Sequence, residues 1–261
     1  MSPSHFSPQP ALSEMRPLRR GYAHRDCEFS PPLWYSLQHG FRYLEADVYC
    51  LGGRMLVAHD PWNLRPWRTL ETLYLAPLRR YLRANGNELF LGGEGLWLFI
   101  DIKTRAQPSY RRLDTLLSRY DDVVSTFTPG TLKVKPVTVV ISGNRPSAET
   151  LRGAPWRYAA LDGRLADLGV HTDPQLTPVI SDNWGKTFSW RGRGAMPAHE
   201  RQRLSEMVRV AHRHGQKLRF WGTPDAPSAE RTRLWETLVA ADIDLINTDD
   251  LAGLRGFLLE R

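Results

Sequence analysis

Tyr43-Leu-Glu-Ala-Asp-Val-Tyr-Cys-Leu-Gly-Gly-Arg-Met-Leu-Val-Ala-His-Asp60 reads as a strand, a Gly-Gly turn and a second short strand. Side chains alternate along a strand, so Glu45 and Asp47 point to one face. The turn at Gly52 and Gly53 brings His59 back beside them. Two carboxylates and an imidazole at a strand end suit a hard divalent cation with an acid/base next to it. The competing reading is a polar strand end with solvated charges, and the surrounding chain has to decide between the two.

Working outward, apolar runs that end in polar residues recur along the chain. Strands are expected at 18–24, 41–48, 96–100, 137–141, 158–161, 177–180, 217–220 and 244–246. Helical spacing or helix stop signals predict helices over 32–39, 69–84, 110–120, 147–151, 197–214, 228–240 and 251–259. Strand–helix alternation at this length argues for a parallel sheet, and eight repeats argue for its closure. The expected fold is therefore α/β, a (β/α)8 barrel with a small β-hairpin insertion after strand 2. An open doubly wound sheet is the alternative, weakened by the lack of a GxGxxG in the first strand–helix turn. Residues 1–16 read as a flexible leader and 17–261 as one domain, since 261 residues do not require two.

Composition narrows the partners. The formal charge is +7 and the sequence pI about 9.6, which favours anions such as phosphates or acidic lipid surfaces. The basic residues are scattered, so no nucleic-acid stripe is expected. Mean hydropathy is −0.43, and no apolar run reaches the ~20 residues of a membrane span. The start has no apolar signal-peptide core; localisation stays open, because a processed N-terminus would look the same. Cys27 and Cys50 form no CxxC, and free thiols are expected over a bridge.

In a (β/α)8 barrel the chemistry lies at the C-terminal rim. The expected strand ends carry His24, Glu45 and Asp47, Asp101 and Lys103, Asn144, Asp182 and Asn183, Trp221, and Asn247. Asp101 supplies a third oxygen ligand beside Glu45 and Asp47, a set suited to Mg²⁺. Lys103, two residues on, faces the same way and can neutralise a phosphate as a point charge. His24 and His59 are the expected acid/base pair, histidine being able to take and give a proton near neutral pH. Trp184, Trp190 and Trp221 offer an apolar wall for a lipid or choline-like group, with packing in the barrel or loop the competing reading for Trp184 and Trp190. The loop 184–194 is the candidate lid or membrane-facing element, with an ordinary mobile loop as the competing reading.

These residues resemble the phosphatidylinositol-phospholipase-C-like phosphodiesterase superfamily, which includes glycerophosphodiester phosphodiesterases and sphingomyelinase D. The carriers are Ala-His-Arg at 23–25, Glu-Ala-Asp-Val at 45–48, His-Asp at 59–60 and Asp-Ile-Lys at 101–103. Ile-Ser-Gly-Asn-Arg-Pro, Ser-Asp-Asn-Trp-Gly-Lys, Arg-Phe-Trp and Ile-Asn-Thr-Asp resemble the altered-inheritance-of-mitochondria-like branch. The resemblance implies a TIM barrel with one Mg²⁺, or Ca²⁺, held by Glu45, Asp47 and Asp101. It implies cleavage through His24 and His59, phosphate contact by Lys103, and a pocket lined by Trp221 and Asn247. Asn144 and Asn183 join the substrate-binding set from their places at strand ends. The implied substrate is a glycerophosphodiester or (lyso)phospholipid-type diester, with either a hydrolysed or a cyclic phosphate product. A monomer with peripheral membrane contact is expected.

The sequence departs from the glycerophosphodiesterase pattern in two places. Asp26 stands where the His-Arg-Gly opening has glycine, and the segment after His59 is too short for an inserted domain. The expectation therefore reaches the catalytic machinery and not the head group. A non-catalytic barrel that binds phosphate or a lipid head group is the alternative. A metal-dependent amidohydrolase would need several metal-binding histidines, which these strand ends lack.

Overall fold

The computed structural model of the chain describes residues 12–260. In chain order the elements are β1 (Gly21–Ala23), α1 (Trp34–Gln38), β2 (Tyr43–Leu51), β3 (Arg54–Val57), α2 (Ala76–Ala84), β4 (Leu96–Ile102), α3 (Ala106–Leu117), β5 (Thr126–Thr128), β6 (Thr131–Lys133), β7 (Val137–Gly143), α4 (Ala148–Arg152), β8 (Ala159–Gly163), β9 (Val179–Asn183), α5 (Trp184–Thr187), α6 (Ala198–Arg213), β10 (Lys217–Trp221), α7 (Ala229–Ala240), β11 (Leu245–Thr248) and α8 (Leu251–Leu259). Strands β1, β2, β4, β7, β8, β9, β10 and β11 pair parallel in that order. Strand β1 also pairs with β11 and so closes the ring. The eight-stranded parallel barrel is formed, and closure rules out the open sheet.

Strand parity sorts the core into two shells. On β4, Leu96, Leu98, Ile100 and Ile102 pack outward against the helices, in one large cluster. Phe99 belongs to a second cluster inside the barrel, with Tyr22, Tyr43, Val140, Val179 and Leu245, and Trp97 packs against it. On β2, Leu44, Ala46 and Val48 join the outer cluster and Tyr43 the inner one. The inward series on β2 is therefore Tyr43, Glu45, Asp47, and on β4 it is Trp97, Phe99, Asp101. Each begins apolar at the bottom of the barrel and turns acidic at the top. The residues pair in register, Asp47 opposite Asp101.

Strand β3 returns antiparallel to β2, with Leu51 opposite Arg54. Gly52 and Gly53 between them have φ of 53° and 71°, the left-handed pair that a tight hairpin turn requires. The helix expected over 69–84 is divided. A π-helical turn covers Glu71–Leu75 before α2 begins. Pro77 has no N–H to bond back to the Leu73 carbonyl, and the ladder opens ahead of it. The hairpin β5–β6 was not expected: its strands are three residues each, and Thr131–Lys133 leaves both its ends exposed.

Of the leader expected over 1–16, residues 1–11 lie outside the described residues. Leu12–Glu14 form a 3-10 turn, and Leu12 is buried with its N–H donating to the Tyr81 hydroxyl at 3.1 Å. No helix among the described residues is long and apolar enough to cross a membrane.

In the loop after β9 the structure favours the packing reading of Trp184 and Trp190 over the aromatic wall. Trp184 and Trp190 are buried, and their indole N–H groups donate to the Trp190 and Arg193 carbonyls at 2.7 and 3.1 Å. Trp184 packs on Phe188 and Phe220 in the outer core. Both rings serve packing because α5 turns the chain back onto the barrel straight after β9. Cys27 and Cys50 are free thiols.

Candidate active site

Inward parity on eight strands delivers polar side chains to one chamber at the C-terminal end of the barrel. His24 follows β1, Glu45 and Asp47 end the inward series of β2, Asp101 that of β4, and Arg219 and Trp221 that of β10. All but Asp47 border a cavity of about 460 Å³ whose wall includes His24, Glu45, His59, Asp101, Lys103 and Trp221. Asp47 stands behind this wall, fully buried.

One oxygen each from Glu45, Asp47 and Asp101 lies within 4.8 Å of the others. Lys103 Nζ reaches 2.7 Å from Asp47 Oδ1 and 3.2 Å from Asp101 Oδ1. Three carboxylates around one point are the oxygen-only donor set that a small hard cation takes. Asp47 Oδ1 is buried and, despite the nearby ammonium, has no hydrogen bond of acceptable geometry. A Cβ on Gly143 would stand 2.2 Å from Asp101 Oδ1, so glycine there leaves room for the carboxylate. These residues fit a divalent cation.

Charge and burial set the protonation states. Burial raises the Asp47 carboxyl, the Glu45 charge adds to this, and Lys103 opposes both, leaving it pushed up to about 6. Burial and Glu45 likewise raise Asp101 against Lys103. Glu45 goes the other way: burial opposes its charge, but His24 and Arg219 outweigh burial and hold it low. Burial opposes the charge on Lys103 too, and Asp47 and Asp101 override it upward. The ammonium is therefore firmly charged and available to an anion.

The two histidines differ in their support. His24 Nδ1 lies 2.7 Å from Asp249 Oδ1, and Nε2 is 3.6 Å from Glu45 Oε1. Burial favours neutral imidazole, but the Asp249 hydrogen bond and the Glu45 charge raise its pKa overall. His59 Nδ1 lies 3.3 Å from Asp60 Oδ1, without hydrogen-bond geometry. The Tyr49 hydroxyl donates to the His59 carbonyl at 3.1 Å and fixes the backbone there. Asp26, at the glycine position of the glycerophosphodiesterase opening, is buried. It accepts from the Leu33 N–H and Tyr74 hydroxyl, both at 2.7 Å, and from the Ser36 hydroxyl. This carboxylate pins the loop that carries His24 and Arg25.

The other expected substrate contacts separate. Trp221 is 38% exposed at the cavity mouth. Asn247 is buried, is not part of the cavity wall, and accepts from Arg219 Nη1 at 3.4 Å. Asn183 caps α5, accepting the Lys186 N–H at 3.1 Å. Asn144 donates to the Lys103 carbonyl at 3.3 Å and borders a neighbouring groove. Asn144 and Asn183 thus stand outside the cavity wall, because their amides are used by the backbone next to them.

Reading strand ends alone overlooks Arg219. Its guanidinium is buried inside the barrel, 3.2 Å from Glu45 Oε2, 3.1 Å from Ser181 Oγ and 3.8 Å from Asp162 Oδ2. It lies 3.9 Å from the centre of the Tyr22 ring, whose hydroxyl donates to the same Glu45 Oε2 at 2.7 Å. Oε2 is thus held from two sides, and Oε1 is left toward His24 and the cavity. A charged residue inside the apolar run Leu218-Arg-Phe-Trp221 was the available clue. Asp249, two residues beyond Asn247, was also overlooked.

The pattern that defines the AIM6-like phosphodiesterase domain matches residues 12–162, a span that contains His24, Glu45, Asp47, His59, Asp101 and Lys103. Similar proteins extend the likeness beyond that span. Altered inheritance of mitochondria protein 6 of Eremothecium gossypii is 31% identical over 275 residues, covering 92% of this chain and 69% of that protein. The homolog from Arthroderma benhamiae is 25% identical over 246 residues, covering 85% and 76%. The Lachancea thermotolerans protein is 26% identical over 274 residues, covering 88% and 63%. With the domain pattern spanning more than half of the chain and the Eremothecium protein aligning along nearly all of it, this protein belongs to the AIM6-like phosphodiesterase family.

Proposed function

We propose that this protein is a metal-dependent phosphodiesterase. It cleaves a glycerophosphodiester or (lyso)phospholipid-type diester by acid–base catalysis at His24 and His59. The observation that carries this reading is the meeting, in one cavity, of three clustered carboxylates, a lysine held charged and two histidines.

Glu45, Asp47 and Asp101 would hold the cation, Mg²⁺ or Ca²⁺, which supplies positive charge against the phosphoryl oxygens. Lys103 neutralises a non-bridging oxygen of the diester and holds it against the carboxylate wall. Asp249 fixes the His24 ring through Nδ1 and directs Nε2 at the cavity. One histidine takes the proton of the attacking oxygen, and the other protonates the leaving alkoxide. The attacking oxygen belongs to water or to a hydroxyl of the substrate itself, which gives a monoester or a cyclic phosphate respectively. Trp221 offers an apolar face to the rest of the substrate at the mouth.

The test is ³¹P NMR of the purified protein with Mg²⁺ and a set of diesters: glycerophosphocholine, glycerophosphoinositol and lysophosphatidylcholine. The expected result is a new monoester or cyclic-phosphate resonance, absent with EDTA and in His24→Ala. Tight binding of the diesters without conversion would replace this reading with a phosphate-binding barrel.

A further inference from the structure

The loop that follows His59 reads Asp60-Pro-Trp-Asn-Leu-Arg-Pro-Trp-Arg68. Trp62 and Trp67 are 73% and 68% exposed, the barest tryptophans among the described residues. An indole left in water forgoes the gain of burying its apolar face, and neighbouring exposed aromatics mark a contact surface. The loop is built to present them. A proline precedes each tryptophan and fixes its own φ. Arg65 Nη1 donates to the Trp62 and Leu64 carbonyls at 3.1 and 2.8 Å, and Thr72 Oγ1 to the Trp67 carbonyl at 2.9 Å. Little ordering entropy remains to oppose docking.

The loop stands at the rim of the cavity. Its base is tied by the Val57 N–H to the Arg68 carbonyl at 2.8 Å and by Arg68 Nη2 to the Cys27 carbonyl at 2.6 Å. His59 borders the cavity and also a groove of about 400 Å³ whose far side is Asn63, Arg65 and Arg68.

The charge of this rim is positive. Arg25, Arg65, Arg68 and Arg105 lie on the loops after β1, β3 and β4, and Arg54 opens β3 beside the hairpin turn; none has a carboxylate at ion-pair distance among the described residues. Of the facing acids, Asp60 and Asp249 are beside His59 and His24, and Asp225 bonds Thr248 and the Asp249 N–H. Glu28 is left exposed. Bare tryptophans flanked by unpaired arginines are the composition that settles at a lipid head-group layer and is drawn to anionic lipid.

We propose that this rim docks on an anionic phospholipid surface, with Trp62 and Trp67 in the interface, the arginines over lipid phosphates and the cavity mouth turned to the bilayer. The membrane-facing element is thus the loop 60–68, in place of the loop 184–194 expected from sequence. Docking does not depend on turnover; that a docked lipid diester is the substrate rests on the phosphodiesterase reading.

The test is co-sedimentation of the full chain with vesicles of phosphatidylcholine, with and without phosphatidylserine. Binding is expected to the anionic vesicles and to weaken with salt. Trp62→Ala with Trp67→Ala lowers the partition coefficient by at least about tenfold. Arg54→Ala and Arg65→Ala each lower it about fivefold. Trp156→Ala is the control, since that indole is 50% exposed but precedes β8, at the opposite end of the barrel. Melting temperatures confirm that each variant folds. His24→Ala binds like the unaltered protein, so an inactive enzyme and an absent membrane site give different results. The proposal is overturned by no binding to anionic vesicles, or by binding that survives the double tryptophan variant. It is also overturned by tryptophan-dependent self-association without vesicles, which would assign the patch to a second copy of the chain.

Discussion

Replacing Arg219 by methionine keeps the apolar stem and removes the guanidinium from the centre of the barrel. The guanidinium faces two buried carboxylates, Glu45 at 3.2 Å and Asp162 at 3.8 Å, and covers the Tyr22 ring at 3.9 Å. Asp162 keeps the Ser142 hydroxyl at 2.8 Å and Arg164 at 3.6 Å, but Glu45 keeps only Tyr22 and His24. Stranding one partner of a buried ion pair costs about 3–5 kcal/mol. With an unfolding entropy of about 2.1 cal/mol/K per residue, a chain of 261 residues loses ~2 °C for each kcal/mol. Arg219→Met is therefore expected to melt about 5–9 °C lower, followed by circular dichroism in EDTA so that no cation offsets Glu45. Arg219→Lys keeps the charge and loses the fork that spans Glu45, Ser181 and Asp162, so it falls between the two. A methionine variant within about 2 °C of the parent, or a lysine variant as damaged as methionine, would refute the account of Arg219 as the charge that holds Glu45.

Other expectations follow from single contacts. Gly143→Ala forces a left-handed φ of 65° on a residue with a Cβ and presses that Cβ on Asp101 Oδ1; it should cost about 1–3 kcal/mol and weaken Mg²⁺ binding measured by calorimetry. Saturation with Mg²⁺ at a hundredfold over its Kd should add about 2.7 kcal/mol of stability, and Asp47→Asn or Asp101→Asn should abolish the rise in melting temperature. Hydrogen bonding from Arg79, against a smaller effect of burial and with help from Arg83, holds the Asp122 carboxyl at about 2. Its contribution is present above the unfolded carboxyl value near ~3.9 and is lost as pH falls through the folded one. Because the pair is solvent-screened, Asp122→Asn should cost under about 1 kcal/mol at neutral pH, and the gap in melting temperature should close in acid. His24→Ala and His59→Ala should each lower turnover by about 10²–10⁴ while leaving Mg²⁺-induced stabilisation in place.

Much of the fold is legible in the sequence. Leu96–Ile100 is a continuous apolar run, and Val137–Ile141 is one but for Thr138, because a barrel strand is buried on both faces. The turn at Gly52 and Gly53 announced its hairpin by residue type alone. The hairpin β5–β6 carried a turn signal as well, Pro129-Gly130 with Gly130 at φ 75°, but its three-residue strands bury Phe127 as their one large side chain, too short an alternation to read as strands. Trp184 and Trp190 leave two readings open because a tryptophan beside glycines and arginines looks the same in a surface loop and in one folded back on a core. Trp62 and Trp67 carry the opposite lesson: only the fold shows that the described residues leave them exposed.

By itself the sequence determined the alternation within each strand, and with it the fact that Glu45 and Asp47 share a face, as do Asp101 and Lys103. That information is local, because the two-residue repeat of a strand comes from backbone geometry alone. The tertiary structure decided which strand ends meet, which oxygen of Glu45 is left for the cavity, and that Asp249 rather than a nearer acid orients His24. Those depend on β1 pairing with both β2 and β11, which brings residues more than 200 positions apart into contact. Closure of that kind is set by packing around the whole ring, and no window of sequence contains it.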